Sequence, residues 1–301
     1  MALVRVVTTG VMEQRVLHLS LQALFPEHEF VAHERLNGFT GAPLPPDIRE
    51  LPPHSGRRLS IDKFVKTLIG LFAPGQRKDR RRPDYVLAVD DLELVNADAP
   101  ENVIRAVREA VERAVRDWDL SDDRRQRLEK DLQERCSFHL MAPMTEAYFF
   151  ADAQAFARAT HPAPDHASGF DPIVCDVEAF TVDDPVYLDP PDHRDIDWRA
   201  ENRRRHPKHY LEYLTDPAHD GKIRYDEARM GVQALGSLAW HDVLCPVRHA
   251  APHRRFARSL FADLCDMLGI AQTAVGLSAL DRRHCEPRTW PPPAKRVLRN
   301  L

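Results

Sequence analysis

The sequence predicts an α/β fold: a mostly parallel sheet flanked by helices, followed by a helical C-terminal part. Three observations carry this. Short β-branched or apolar segments alternate with helical repeats up to about residue 160, in the order β-α-β-α-β-α-β-α, the pattern of strands joined by crossover helices. Asp84–Val89 is apolar almost throughout, as expected of a central strand buried on both faces. Past residue 160 the character of the chain becomes helical. The expected division is residues 1–160 as the α/β unit, 161–285 as a mainly helical part and 286–301 as an extended tail.

Val4–Thr9 reads as the first strand and Gly10 breaks it. Met12–Phe25 follows as a helix with Val16, Leu17, Leu21 and Leu24 as its apolar stripe, ended by Pro26. Glu29–His33 is a candidate second strand. Asn37–Arg58, rich in Pro and Gly, reads as a loop. Ile61–Phe72 is amphipathic, with Phe64, Leu68 and Leu71 on one face, and a basic loop, Gln76–Pro83, leads into the central strand. Pro100 suits a first helical turn, and Val103, Val107, Val111 and Val115 repeat behind it. Asp122–Arg135 is a more polar helix, Ser137–Met141 a strand, and Ala147–Ala159 a helix rich in alanine and aromatics. Thr160–Pro191 is rich in Pro, Asp and His, with one possible strand at Ile173–Cys175. Helices are expected at Trp198–Leu214, Tyr225–Trp240 and His253–Leu268. The tail, with three consecutive prolines and four cationic residues, reads as extended.

The 301 residues carry a formal net charge of -4, so no global field draws the chain to nucleic acid or membrane. No run approaches the roughly 18 apolar residues of a spanning helix, and no leader with a long apolar core opens the sequence. The five cysteines are scattered, odd in number and without a CxxC pair, which points to a reducing cytoplasm. No pair among the fifteen histidines has a zinc spacing. Walker, G-x-G-x-x-G and G-x-S-x-G motifs are absent.

Acids fall at or just after three of the expected strand ends: Glu13 after the first, Asp90 and Asp91 at the end of the central strand with Glu93 two residues on, and Glu146 after the fourth. Ligands of parallel sheets collect at the carboxyl ends of the strands. A hard cation such as Mg2+ takes one or two carboxylates together with water and substrate phosphates. Single acids near helix starts also serve as caps or complement the helix dipole, so the argument for a metal rests on the set.

The stretch Val7-Thr8-Thr9-Gly10-Val11-Met12-Glu13 resembles the opening of Toprim-type nuclease-like domains, where a strand ends in V-E-G-x-x-E. Val86–Asp91 resembles the Toprim strand that ends in aspartate. Glu146-Ala147-Tyr148-Phe149-Phe150-Ala151-Asp152 resembles the E-A-W/L-x-x-A-D segment of a bacterial group of Toprim-like proteins. His206-Pro207-Lys208-His209-Tyr210-Leu211 and Pro252-His253-Arg254-Arg255-Phe256 echo two later segments of that group. The resemblance runs in order over most of the chain. It implies a Toprim-like, metal-dependent nuclease acting on DNA or RNA with Mg2+ or Mn2+. Glu13, Asp90 and Glu146 would be catalytic, Glu13, Asp90, Asp91 and Glu146 would bind the metal, and a protein partner in bacterial defence is part of the expectation. The sequence departs from the pattern at Thr9, where the family has its first glutamate. A threonine is no general base near neutral pH without special activation. Either Glu13 takes over, or the chain is a catalytically inactive module that binds a partner protein or nucleic acid.

Two basic segments, Gln76–Arg82 and Asn202–Lys208, read either as solvated charge runs or as phosphate contacts. Arg204 and Lys208 in the second are the phosphate-binding candidates. His139, inside a strand, reads as a core residue, on the opposite face from Cys136.

Overall fold

The computed structural model describes residues 1–73, 81–160, 177–188, 200–216, 224–244, 255–275 and 296–301. Four strands, β1 (Leu3–Thr8), β2 (Glu29–Ala32), β3 (Tyr85–Asp91) and β4 (Cys136–Met141), form one sheet in the order β2-β1-β3-β4. Every pairing is parallel, with Val4 opposite Tyr85 and Val86 opposite Cys136 in the register. This is the expected α/β architecture. The expected strand at Ile173–Cys175 lies outside the described residues.

Helix α1 (Val11–Leu24) connects β1 to β2. It is followed by α2 (Gly56–Phe72), α3 (Pro100–Asp117), which has its proline in the first turn, and α4 (Asp122–Arg135). Helix α2 begins five residues earlier than its apolar pattern implied, because the Ser55 hydroxyl accepts from Arg58 N and caps it. Period-2 alternation sends Val86, Ala88, Cys136, Phe138 and Leu140 to one face, where α2, α3 and α4 cover them.

The other face carries Val4, Val6, Leu87, Val89 and Met141. It is covered by α1 and by elements from the C-terminal half. These are α5 (Ala153–Ala159), the single turn α6 (Pro185–Leu188), α8 (Pro207–Thr215), α9 (Val232–Gly236), α10 (Trp240–Leu244) and α11 (Arg255–Leu268), and a further single turn, α7 (Ala200–Arg203), precedes α8. The chain changes character near residue 160, yet residues on both sides of that point share one apolar core. No helix among the described residues is long and apolar enough to cross a membrane.

Three expected helices are interrupted, each for a local reason. Residues 145–151 form a fully buried 3₁₀ segment, and α5 restarts at Asp152, whose Oδ1 accepts from Gln154 N at 2.9 Å. Its Oδ2 accepts from Ala239 N at 2.8 Å and clamps the segment to the C-terminal half. Pro207 starts α8 afresh after α7, with His206 Nδ1 accepting from His209 N. Residues 227–231 form a π-helical turn ahead of α9.

The tail is the main correction. Residues 296–301 do not extend into solvent; Val297, Leu298 and Leu301 are buried beside β4. Strand β4 is an edge, and its outward backbone groups need partners. Arg299 N donates to Cys136 O at 2.8 Å, and the Asn300 amide exchanges two hydrogen bonds with the Phe138 backbone, at 3.0 and 2.6 Å. The Arg299 guanidinium pairs with Asp263 and Asp266 of α11. The rest of the expected tail, 286–295, lies outside the described residues.

Candidate functional site

The carboxyl ends of β1 and β3 lie side by side, because Thr8 is in register with Val89. Alternation turns Asp90 toward the α2–α3 face and Asp91 toward the α1 face. Asp90 is buried; its Oδ1 accepts from the Thr9 hydroxyl and from Asp91 N, while Oδ2 has no hydrogen-bond partner among the described residues. Asp91 Oδ1 accepts from both the backbone N and the hydroxyl of Thr145, at 2.9 and 3.0 Å. That pair of bonds ties the end of β3 to the segment carrying Glu146.

Glu13 lies in the first turn of α1 and is 5% exposed. Its Oε1 is a second buried carboxylate oxygen that accepts no hydrogen bond of full geometry among the described residues, although the Thr145 side chain lies near enough to favour the Glu13 charge. Its Oε2 lies where a side chain on Gly10 would begin, so any other residue at position 10 would displace the Glu13 carboxylate from this place. Glu146, 3% exposed, takes a long hydrogen bond from the Tyr225 hydroxyl at 3.4 Å. Glu93 has φ 63° and ψ 149°, a conformation that non-glycine residues rarely adopt. Its backbone N is held by Pro143 O at 2.7 Å. Strain of this kind persists where the surroundings over-determine it, often at functional sites.

Electrostatics join these acids into one group. Burial pushes Asp90 up to about 7, with Glu93 and Glu13 adding to the push. Burial pushes Glu146 up to about 8; Glu13 and Glu227 add to this and Lys208 opposes it. Burial and the neighbouring acids also raise Glu13, Asp91 and Glu93, Asp91 well above its ordinary range. Glu13, Asp90, Asp91 and Glu146 thus feel one another's charge, and Glu93 and Glu227 add to it.

The two phosphate-binding candidates part company. Lys208, half-buried on α8, turns inward and pairs with Glu227 Oε2 at 2.8 Å. Arg204 is exposed and pairs with the exposed Asp183 at 3.2 Å. Tyr225, Glu227 and Thr145 were not singled out from the sequence. Thr145 adjoins Glu146, but nothing local marks Tyr225 or Glu227, which reach the site only through tertiary packing. The π-helical turn beginning at Glu227 is pinned to α1 by Arg15, which donates to Ala228 O at 3.1 Å. Gly231 ends that turn where a Cβ would stand 2.6 Å from the Tyr225 hydroxyl and 2.7 Å from Met12 Sδ.

Other candidates have structural roles. His139 is a core residue; its Nε2 lies 3.1 Å from Asp263 Oδ2. The His209 ring stacks on His206. Asp152 is the cap and clamp described above. Pro252 and His253 lie outside the described residues. A surface cleft of about 640 Å³, lined by His33, Lys63, Lys66 and Trp118 among others, contains none of the clustered acids.

Among the described residues, no three His, Cys, Asp or Glu side chains stand in a ready metal-ligating arrangement. The donor chemistry nevertheless fits a hard cation: all-oxygen, anionic, and with two buried carboxylate oxygens unpartnered. No protein-family model, curated protein or solved structure matches this chain. The resemblance to Toprim-type proteins stands on its motifs alone.

Proposed function

We propose that the acidic cluster binds a divalent cation, Mg2+ or Mn2+, and that the protein hydrolyses phosphodiester bonds of DNA or RNA there. One observation carries the reading: Glu13 Oε1 and Asp90 Oδ2 are buried at adjacent strand ends without a hydrogen-bond partner among the described residues. Burying an uncompensated carboxylate is costly, and either a proton or a cation relieves the cost. Glu13, Asp90, Asp91 and Glu146 are the residues that would hold the cation. A bound cation would supply Lewis acidity toward a phosphoryl oxygen and a more acidic bound water.

The chain's own residues have separable tasks in this reading. Thr9 fixes the orientation of Asp90 through its hydroxyl, and Thr145 does the same for Asp91. Glu146, whose pKa lies near the working pH, can hold or release a proton. Arg204, exposed, can meet a phosphate at the surface. A cytoplasmic location, from the scattered unpaired cysteines, and a role in bacterial defence, from the resemblance alone, complete the proposal.

A second reading is a catalytically inactive module that binds a partner protein or nucleic acid. Thr9 favours it: the side chain where the resemblance calls for a glutamate is committed to donating to Asp90. The two readings separate on incubation of the purified protein with Mg2+ or Mn2+ and plasmid, single-stranded DNA and tRNA. Cleavage that is lost in Asp90→Asn supports the enzyme. Carboxylate-dependent Mn2+ binding in calorimetry without cleavage of any substrate leaves the binding module, and no Mn2+ binding sinks the cation site.

A further inference from the structure

Six carboxylates influence one another at this site, and among the described residues Lys208 is a cation set against them. Lys208 Nζ donates to Glu227 Oε2 at 2.8 Å, and its charge acts on Glu146 and Glu93. It reaches in from α8, while Glu227 comes from the π-helical turn anchored on α1. Lysine is a compact point charge on a flexible stem, suited to entering and leaving such a position. A lysine kept for phosphate would be expected to point at solvent, as Arg204 does. Lys208 instead faces the acids, beside a cluster that still has unpartnered oxygens on Glu13 and Asp90.

We propose that Lys208 is the resident counter-ion of the acidic cluster, and that a divalent cation competes with its ammonium for the negative charge gathered there, that of Glu146 above all. The inference rests on the cation reading above and adds its regulation: loading the site must push Lys208 away. Because Lys208 and Glu227 both belong to the C-terminal half, their pairing couples that half to the state of the site. When a cation occupies the acids, the Lys208–Glu227 pair swings from them as a unit or breaks. When none is present, Lys208 offsets part of their mutual repulsion.

The test is Mn2+ calorimetry on the full chain, comparing the parent with Lys208→Gln and Lys208→Arg. Removing a competing positive charge at this range is worth roughly ten-fold or more in cation affinity. Lys208→Gln is expected to bind Mn2+ about ten-fold more tightly, and Lys208→Arg to stay near the parent. In metal-free buffer Lys208→Gln should melt at a lower temperature than the parent, with the difference closed by saturating Mn2+. A phosphate-binding lysine would behave otherwise: Mn2+ affinity without nucleic acid would be unchanged in Lys208→Gln, and that result overturns the inference while leaving the cation site intact. Weaker Mn2+ binding in Lys208→Gln overturns it equally. If the parent itself takes up no Mn2+, the cation reading fails, and this inference with it. Should Lys208→Gln not fold, Lys208→Met carries the test: it too removes the charge and should bind Mn2+ about ten-fold more tightly, and unchanged or weaker binding in that variant overturns the competition.

Discussion

The carboxylate of Glu13 lies over Gly10 so closely that a Cβ at residue 10 would overlap Oε2. The glycine has an ordinary extended backbone, so its role is to leave room for the acid. Gly10→Ala should therefore act as a mutation of Glu13 without touching it. The expected result is a fall in Mn2+ affinity of roughly ten-fold or more, comparable to losing a supporting group around a metal. The far-UV circular dichroism should match that of the parent. Unchanged Mn2+ affinity in Gly10→Ala would show that binding does not need the Glu13 carboxylate in this position.

The clustered acids give stability an unusual pH dependence. Asp90 titrates at about 7 in the folded chain against an ordinary 3.8, and Glu146 at about 8 against 4.5. Between those values the folded chain holds protons that the unfolded chain has released, so stability falls as pH rises. The contribution is fully present below about pH 4 and is lost as pH passes through 7 and then 8. The metal-free protein is expected to melt several degrees lower at about pH 8.5 than at about pH 5. Asp90→Asn should flatten the first part of that slope. A melting temperature that climbs over this range would contradict the burial of these groups.

Asp152 closes the segment that begins at Glu146, and its two oxygens hold Gln154 N and Ala239 N. Asp152→Ala removes a helix cap and leaves the Ala239 amide without its partner, a loss of about 2 kcal/mol or more. Chemical denaturation measures it. Mn2+ affinity of the folded variant should not move, whereas Glu146→Gln should reduce it. Equal effects of the two variants on Mn2+ would place Asp152 in the site.

Leu298 is fully buried against the α2–α4 face of the sheet, in a segment the sequence presents as a polar, proline-rich tail. Leu298→Ala is expected to cost about 2–5 kcal/mol, the range for a large core residue cut to alanine. A stability change near zero in urea would mean that residues 296–301 do not stay docked on β4.

The sheet and its acidic ends were legible in the sequence because both are local signals. The apolar run before Asp90 names a buried strand, and alternation with helices names parallel pairing. The interruptions were not legible: Asp152 looks like any helix residue until Ala239 arrives to occupy its second oxygen. Lys208 reads as part of a basic run and is turned inward by Glu227, nineteen positions later. Tyr225 and Glu227 have no local signature, since their meaning depends on α1 and on the 3₁₀ segment being packed beneath them. The tail misled for a similar reason. Val297, Leu298 and Leu301 are too few to announce a core, and the edge of β4 that receives them is 162 positions away in sequence, as Phe138 and Asn300 show.

One apolar face joins α1 to α9, closely enough that a Cβ on Gly236 would stand 2.9 Å from Val16. That contact has a consequence in time. Helix α1 is complete by residue 24, but α9 begins only at Val232. At a synthesis rate of about 5–20 residues per second, roughly 10–40 seconds separate the two on the ribosome. For that interval Val16, Leu17 and Leu21 lack the cover that the finished protein gives them. Until the far half has been translated, the side of α1 that will meet α9 stays open to other apolar surfaces.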